Sequence, residues 1–332
     1  MRSLHVLVIG GGSAGQRHLR NFAALGCRVS VADPRPDRLV ESSRAAPLVH
    51  SVSDWGAALD ADRYDGVVVA SPPAFHVQQA HAAIERRLPV FLEKPAGVDL
   101  DSVASLSDAA AAARIPVLLG YTYRWWPPLR ELRERVQRHE IGRVLHVRGV
   151  MAAHLADWHP WEHYQDFFMA RRELGGGALL DESHLLDLLH WLLGPPVRVA
   201  GAVEKVSNLE IDADDHVDAR LEYASGARAL VHLDLYTRPH EKSLRVVGDQ
   251  GTLLWTWEPN RLALARDCTG EFRPIEFLCE RNEMFVAAAR EFLAVVRDGA
   301  PPSCTLADGC AVMRVIAALR TSAATGQTIA LE

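Results

Sequence analysis

The sequence predicts an α/β domain built on a doubly wound parallel sheet, followed by an α+β domain built on a largely antiparallel open sheet. Three observations carry this. Short apolar runs alternate with helical patterns through the first third of the chain, and a glycine-rich turn separates the first such run from the first helix. After about Thr122 that alternation stops, and later runs follow one another without helices between them. The 332 residues are too many for one comfortable core, so the boundary is placed there, giving domains 1–122 and 123–332.

The elements of the first domain follow in order. Leu4–Ile9 is apolar apart from His5, and Gly10-Gly11-Gly12-Ser13-Ala14-Gly15 comes directly after it. A helical pattern through Leu19, Phe22 and Leu25 closes at Gly26, and Val29–Ala32 starts a second strand. Gly10 permits a tight turn, Gly12 lets the backbone approach a pyrophosphate, and Gly15 lets helix and strand pack closely. The free N–H groups at the helix start, at Ser13 and Ala14, supply an anion site. Dinucleotide binding is therefore expected. Asp33 ends the second strand about 20 residues on, where a carboxylate accepts from ribose hydroxyls and disfavours a 2′-phosphate. That favours NAD over NADP, a preference Arg35 softens by offering a phosphate partner.

Asp54–Leu59 reads as a short helix, Gly66–Ala70 as a buried strand, and Ser71-Pro72-Pro73 as a turn into a helix over about 74–86. His76 lies in its first turn, placed either to touch the cofactor or to cap the helix. Val90-Phe91-Leu92-Glu93-Lys94-Pro95 is a strand that stops at its proline, which would aim Lys94 into the crevice beyond the carboxyl ends of the strands. A helix over 100–114 and a strand over 115–119 complete the domain.

In the second domain, Leu129–His139 is an amphipathic helix and Val144–Val150 a strand. The segment from His154 to Tyr164 sets Trp158 and Trp161 beside His, Asp and Glu, flat faces and polar groups suited to a sugar. His159 and His163 are four apart, but Pro160 argues against a helix presenting them to a metal, so none is expected. Gly175-Gly176-Gly177 then opens one helix running through Leu192, with Asp181, His184 and Asp187 spaced by three. Carboxylates beside a histidine fix its tautomer and raise its basicity, as a general base needs. Strands are expected over 197–206, 215–223, 227–236, 244–247 and 252–257, with a hairpin turn at Gly248 and Gly251. Helices over 284–297 and 306–321 close the chain.

These motifs resemble the oxidoreductase family of glucose–fructose oxidoreductase and inositol dehydrogenase. The resemblance rests on Gly10-x-Gly12-x-x-Gly15, Ser71-Pro72-Pro73-x-x-His76, Glu93-Lys94-Pro95 and Tyr121-x-x-Arg124 leading to Ile141-Gly142. It continues through the glycine run with Asp181, His184 and Asp187, and from Leu306-x-Asp308-Gly309 to Ser322 and Gly326, so it covers nearly the whole chain. It implies a nicotinamide-dependent dehydrogenase or reductase whose Lys94 contacts substrate and nicotinamide. One departure stands out: the commoner pattern puts the first Asp four residues before the His, whereas Asp181 and His184 are three apart. On an unbroken helix that turns the Asp by about 100°. Either the turn tightens there, or Asp187 becomes the main partner.

The expected reaction is hydride transfer between NAD and a secondary alcohol or ketone of a sugar, cyclitol or sugar derivative. His184, with Asp181, handles the hydroxyl proton, and Lys94 stabilises the developing alkoxide. Glu93, Ser71, Pro72 and His76 join the cofactor set; Arg124, Trp158, His159, Arg171 and Asp187 are candidate substrate contacts. Redox-neutral glycoside cleavage and a non-enzymatic dinucleotide sensor are the alternatives. A net charge of −6 disfavours nucleic acid and anionic membrane surfaces as partners. The five cysteines show no C-x-x-C spacing, which fits reduced thiols. Met1 leads almost directly into a strand and no apolar run approaches the roughly 20 residues of a membrane span, so a cytoplasmic protein is expected. One face of the second sheet needs a cover, which predicts a homodimer or homotetramer.

Overall fold

The computed structural model describes residues 2–158, 162–266 and 270–331. They form two compact units, Met1–Thr122 with Arg281–Cys310 and Tyr123–Glu280 with Ala311–Glu332. Among the described residues no helix is long and apolar enough to cross a membrane.

The first unit holds a parallel six-stranded sheet in the order β3-β2-β1-β4-β5-β6. Its strands are β1 (His5–Ile9), β2 (Arg28–Ala32), β3 (Leu48–Val52), β4 (Gly66–Val69), β5 (Val90–Leu92) and β6 (Val117–Leu119). The helices between them are α1 (Ser13–Ala24), α2 (Pro36–Ala45), α3 (Trp55–Ala61), α4 (His76–Glu85) and α5 (Leu100–Ala113). β1, β4, β5 and β6 are buried throughout, as strands covered on both faces must be. The strand order reverses between β1 and β4, which opens the crevice where such sheets bind ligands.

Two of these elements, α2 and β3, are absent from the sequence reading. The expected helix over 74–86 is a 3₁₀ turn at Pro73–Phe75 followed by α4. Residues 281–310, assigned by sequence to the second domain, cluster with the first. The reason is Phe292, on the helix Asn282–Asp298. Its ring fills the space that Gly66 leaves on β4, where a Cβ would lie 2.9 Å from it. It also meets Phe22 and Phe91 edge-on at 6.0 and 5.8 Å.

The second unit holds nine strands in the order β14-β13-β12-β11-β7-β10-β9-β8-β15. They are β7 (Val144–Ala152), β8 (Arg198–Glu204), β9 (His216–Glu222), β10 (Arg228–Asp234), β11 (Glu241–Gly248), β12 (Thr252–Thr256), β13 (Arg261–Ala265), β14 (Arg273–Ile275) and β15 (Ile329–Ala330). All neighbours run antiparallel except β7 and β10, which are parallel. The sheet is thus mixed and mostly antiparallel. Its α-helices are α6 (Pro127–Gln137), α7 (Ala178–Asp181), α8 (His184–Leu193) and, from Ala311 on, most of the helix Leu306–Thr325.

The single helix expected through Asp181, His184 and Asp187 is instead two. After α7, the Leu185 amide donates to the Glu182 carbonyl at 3.0 Å, a three-residue span that tightens the turn before α8 begins. Asp181 and His184 therefore belong to different helical segments, and ideal-helix spacing does not relate them.

Candidate active site

In the first unit the glycine turn is fixed by close backbone packing. Gly10 has φ +100°, and a Cβ there would lie 2.6 Å from the Ala70 carbonyl carbon. A Cβ on Gly15 would sit 1.8 Å from the Gly10 oxygen. Gly12 differs: a Cβ there would meet nothing within 4 Å, so among the described residues the space beside it is open. That is the position where a dinucleotide needs the backbone bare. Asp33 is buried and accepts from the amide of Gly11 at 2.7 Å and from that of Arg35 at 2.8 Å. It ties the turn to the end of β2. The Arg35 guanidinium lies against Asp37, at 3.2 and 2.5 Å.

At the end of β5 the backbone is clamped from two sides. His76 is buried, with Nδ1 2.7 Å from the Pro95 carbonyl and Nε2 2.8 Å from the Ser71 carbonyl. Burial pushes its pKa down, against the pull of those two carbonyls. His76 thus joins the strand ends that carry Ser71-Pro72 and Lys94-Pro95. The Ser71 hydroxyl donates to Gln79 at 2.7 Å. Glu93 points back into the unit, 2.7 Å from Nε2 of His18 on α1. Burial raises its pKa, but the His18 bond and the charges of His18, Arg17 and Lys94 outweigh that and hold the carboxyl low. Glu93 therefore anchors α1 to the end of β5, one residue before Lys94.

In the second unit Arg124 and Asp187 find each other. Nε and Nη2 donate to the two carboxylate oxygens at 3.0 and 2.7 Å, with the side chains 4% and 1% exposed. Two expected substrate contacts are thus joined in a buried bidentate pair, and Asp187 is not left to serve His184 alone. The His184 ring lies edge-on to Tyr123 at 4.8 Å. Tyr123 in turn lies under Lys242 of β11, whose Nζ is 5.7 Å from its centroid and 3.3 Å from both oxygens of buried Glu182. Burial works against the Lys242 ammonium, yet Glu182, Tyr123 and Asp181 outweigh it and raise its pKa above the usual lysine range.

Lys242, Glu182 and Tyr123 were missed from sequence. The chain has only three lysines, Lys94, Lys205 and Lys242, and that scarcity was the available signal.

The glycines before α7 serve neighbouring backbone. A Cβ on Gly176 would lie 2.4 Å from the Met169 carbonyl oxygen, and one on Gly177 2.5 Å from the Asp214 carboxylate. The Trp158 indole N–H is buried and meets no acceptor among the described residues. Arg171 lines a surface depression with Gln165, Glu210 and Asp212. His159 lies outside the described residues.

A family model described as an oxidoreductase family with an NAD-binding Rossmann fold matches residues 4–121. A second, described as a GFO/IDH/MocA C-terminal domain, matches 129–254. Levoglucosan dehydrogenase of Pseudarthrobacter phenanthrenivorans is 24% identical over 98% of this chain and 97% of its own. The scyllo-inositol 2-dehydrogenase (NAD(+)) of Bacillus subtilis is also 24% identical, over 98% and 95%. The structure of levoglucosan dehydrogenase in complex with NADH shares the fold, with TM-score 0.90 and 22% identity over 100% of both chains. That of the WlbA dehydrogenase of Bordetella pertussis with NADH and UDP-GlcNAcA gives TM-score 0.82 at 20% identity, over 100% and 99%.

Proposed function

Since the chain belongs to the GFO/IDH/MocA oxidoreductase family and carries its NAD-binding domain, we propose that it oxidises or reduces a secondary alcohol or ketone on a sugar or cyclitol. The observation that carries this reading is the surroundings of His184. An imidazole at the start of α8 stands edge-on to Tyr123, beside the buried Lys242–Glu182 pair. In oxidation His184 accepts the hydroxyl proton, with Asp181 and Lys242 setting the charge around it. Lys94 donates a hydrogen bond to the substrate oxygen and offsets its growing negative charge. The Trp158 ring would stack on a polyhydroxylated ring.

The residues that would hold NAD are Gly10, Gly12, Ser13, Ala14 and Gly15 at the pyrophosphate and Asp33 at the ribose, with Ser71, Pro72 and His76 shaping the neighbouring strand end. Open space beside Gly12 and a buried carboxylate at the end of β2 fit that group. Bound there, NAD supplies the hydride acceptor or, reduced, the donor.

A panel of sugars, cyclitols and sugar derivatives with NAD and NADP, read by absorbance of the reduced cofactor, tests the reading. Lys94→Ala and His184→Ala should each lower turnover by about 10²–10⁴-fold and leave NAD affinity nearly intact. Full activity in either variant refutes the assignment. A homodimer or homotetramer through the second sheet is proposed as well, supported by Leu230, 46% exposed on β10. A stable monomer in light scattering would overturn it.

A further inference from the structure

The second sheet has two chemically distinct faces. On β9, which packs against α7, Val217, Ala219 and Leu221 are buried, while His216, Asp218, Arg220 and Glu222 lie on the opposite face. On β10 the alternation sets His232, half-buried, and Asp234, fully buried, on that same face. The register sets His216 opposite Asp234 and Asp218 opposite His232, a square of two H-x-D pairs on adjacent antiparallel strands.

Within the square, three donors converge. Nε2 of His216 and Nδ1 of His232 lie 3.2 and 2.8 Å from the two oxygens of Asp218, and ligand atoms of the three residues all fall within 4.8 Å of one another. The remaining ring nitrogens are occupied elsewhere. Nδ1 of His216 is 2.8 Å from the Tyr236 hydroxyl, and Nε2 of His232 is 3.0 Å from Asp234. Asp234 is itself fixed by the amides of Tyr236 and Thr237 at 3.0 and 2.8 Å. An imidazole whose far nitrogen is held by a carboxylate or hydroxyl is the arrangement that orients histidine toward a metal.

We propose that His216, His232 and Asp218 form a binding site for a first-row divalent cation, with Zn²⁺ the best match to two imidazoles and one carboxylate. Three protein ligands leave a fourth position for water or an outside donor. The site clips β9 to β10 and uses none of the residues assigned to the redox reaction, so it does not depend on that assignment.

Charge favours a cation here: Asp234 and Asp218 lie 3.0 and 2.8 Å from the His232 ring. His216 faces the same carboxylate, and Glu204 of β8 lies opposite His216 in the register.

The test uses the protein stripped with EDTA, desalted, and titrated with ZnCl₂ alone by calorimetry. The expected result is saturation at one ion per chain. His216→Gln and His232→Gln should each weaken binding at least about 10-fold. Asp218→Asn, at an exposed side chain, should do the same in a protein whose circular dichroism is unchanged. Absence of saturable uptake would reduce the square to cross-strand ion pairs and overturn the proposal. Stoichiometric uptake that survives in His216→Gln/His232→Gln would place the ion elsewhere and overturn it equally.

Discussion

Arg124→Met separates a structural role from a substrate role. The Arg124–Asp187 pair makes two charge-assisted hydrogen bonds between side chains 4% and 1% exposed. Removing the guanidinium leaves the Asp187 carboxylate buried without its main counter-charge, which costs about 3–5 kcal/mol. For a unit of this size each kcal/mol moves the melting temperature by about 2–4 °C, so a fall of roughly 6–20 °C is expected. The companion is Arg124→Met/Asp187→Leu. An apolar pair of similar volume in place of a buried ion pair is often neutral or stabilising, so the double variant should recover most of the loss. Thermal melts followed by circular dichroism, without NAD, keep ligand binding out of the comparison. If Arg124→Met melts like the wild type but raises KM, the guanidinium serves substrate and the structural reading fails.

Lys242→Met removes a buried cation beside Glu182, Tyr123 and Asp181. It should lower kcat/KM and move the acid limb of its pH profile upward, because a positive charge near the base no longer resists its protonation; Lys242→Arg should restore part of both, and an unmoved profile counts against the role. For His232 the folded pKa, about 9, exceeds the ordinary 6.5, so its contribution is complete below about pH 6.5 and lost as pH rises through 9. Metal-free His232→Gln should therefore be less stable than wild type at pH 6, by on the order of 1–2 kcal/mol after allowing for partial exposure, with the gap closing by pH 10 in parallel urea melts.

What the sequence revealed follows from what is local. β1, β4 and β5 were readable because strands buried on both faces are continuous apolar runs. β3 escaped notice because it is an edge strand of half-buried and exposed residues, including His50 and Ser51. α2 buries only Ser42, so it has no apolar stripe to announce it. The helix Asn282–Asp298 showed its amphipathic pattern plainly, but no local pattern says that Phe292 will fill the space at Gly66. The site divides the same way. Lys94 and His76 sit in short motifs, whereas Lys242 and Glu182 are sixty residues apart and meet only through folding. A lone lysine in a strand reads as solvated; burial against a carboxylate is a tertiary fact.

The spacing between Asp181 and His184 also takes on a different meaning. On one continuous helix, a residue missing between them would swing Asp181 by about 100° away from the histidine. The chain instead tightens at Glu182-Ser183, so the local cost falls on one turn rather than on the direction of α8. That turn brings two successive acids, Asp181 and Glu182, into the interior, where their mutual repulsion would be poorly screened. Lys242 answers both: it bonds Glu182 directly and interacts favourably with Asp181. The tightened turn and the buried lysine thus bear on the same two carboxylates. Substituting Asp181 therefore also alters the surroundings of Lys242, so Asp181→Asn is to be measured in both the wild-type and the Lys242→Met backgrounds.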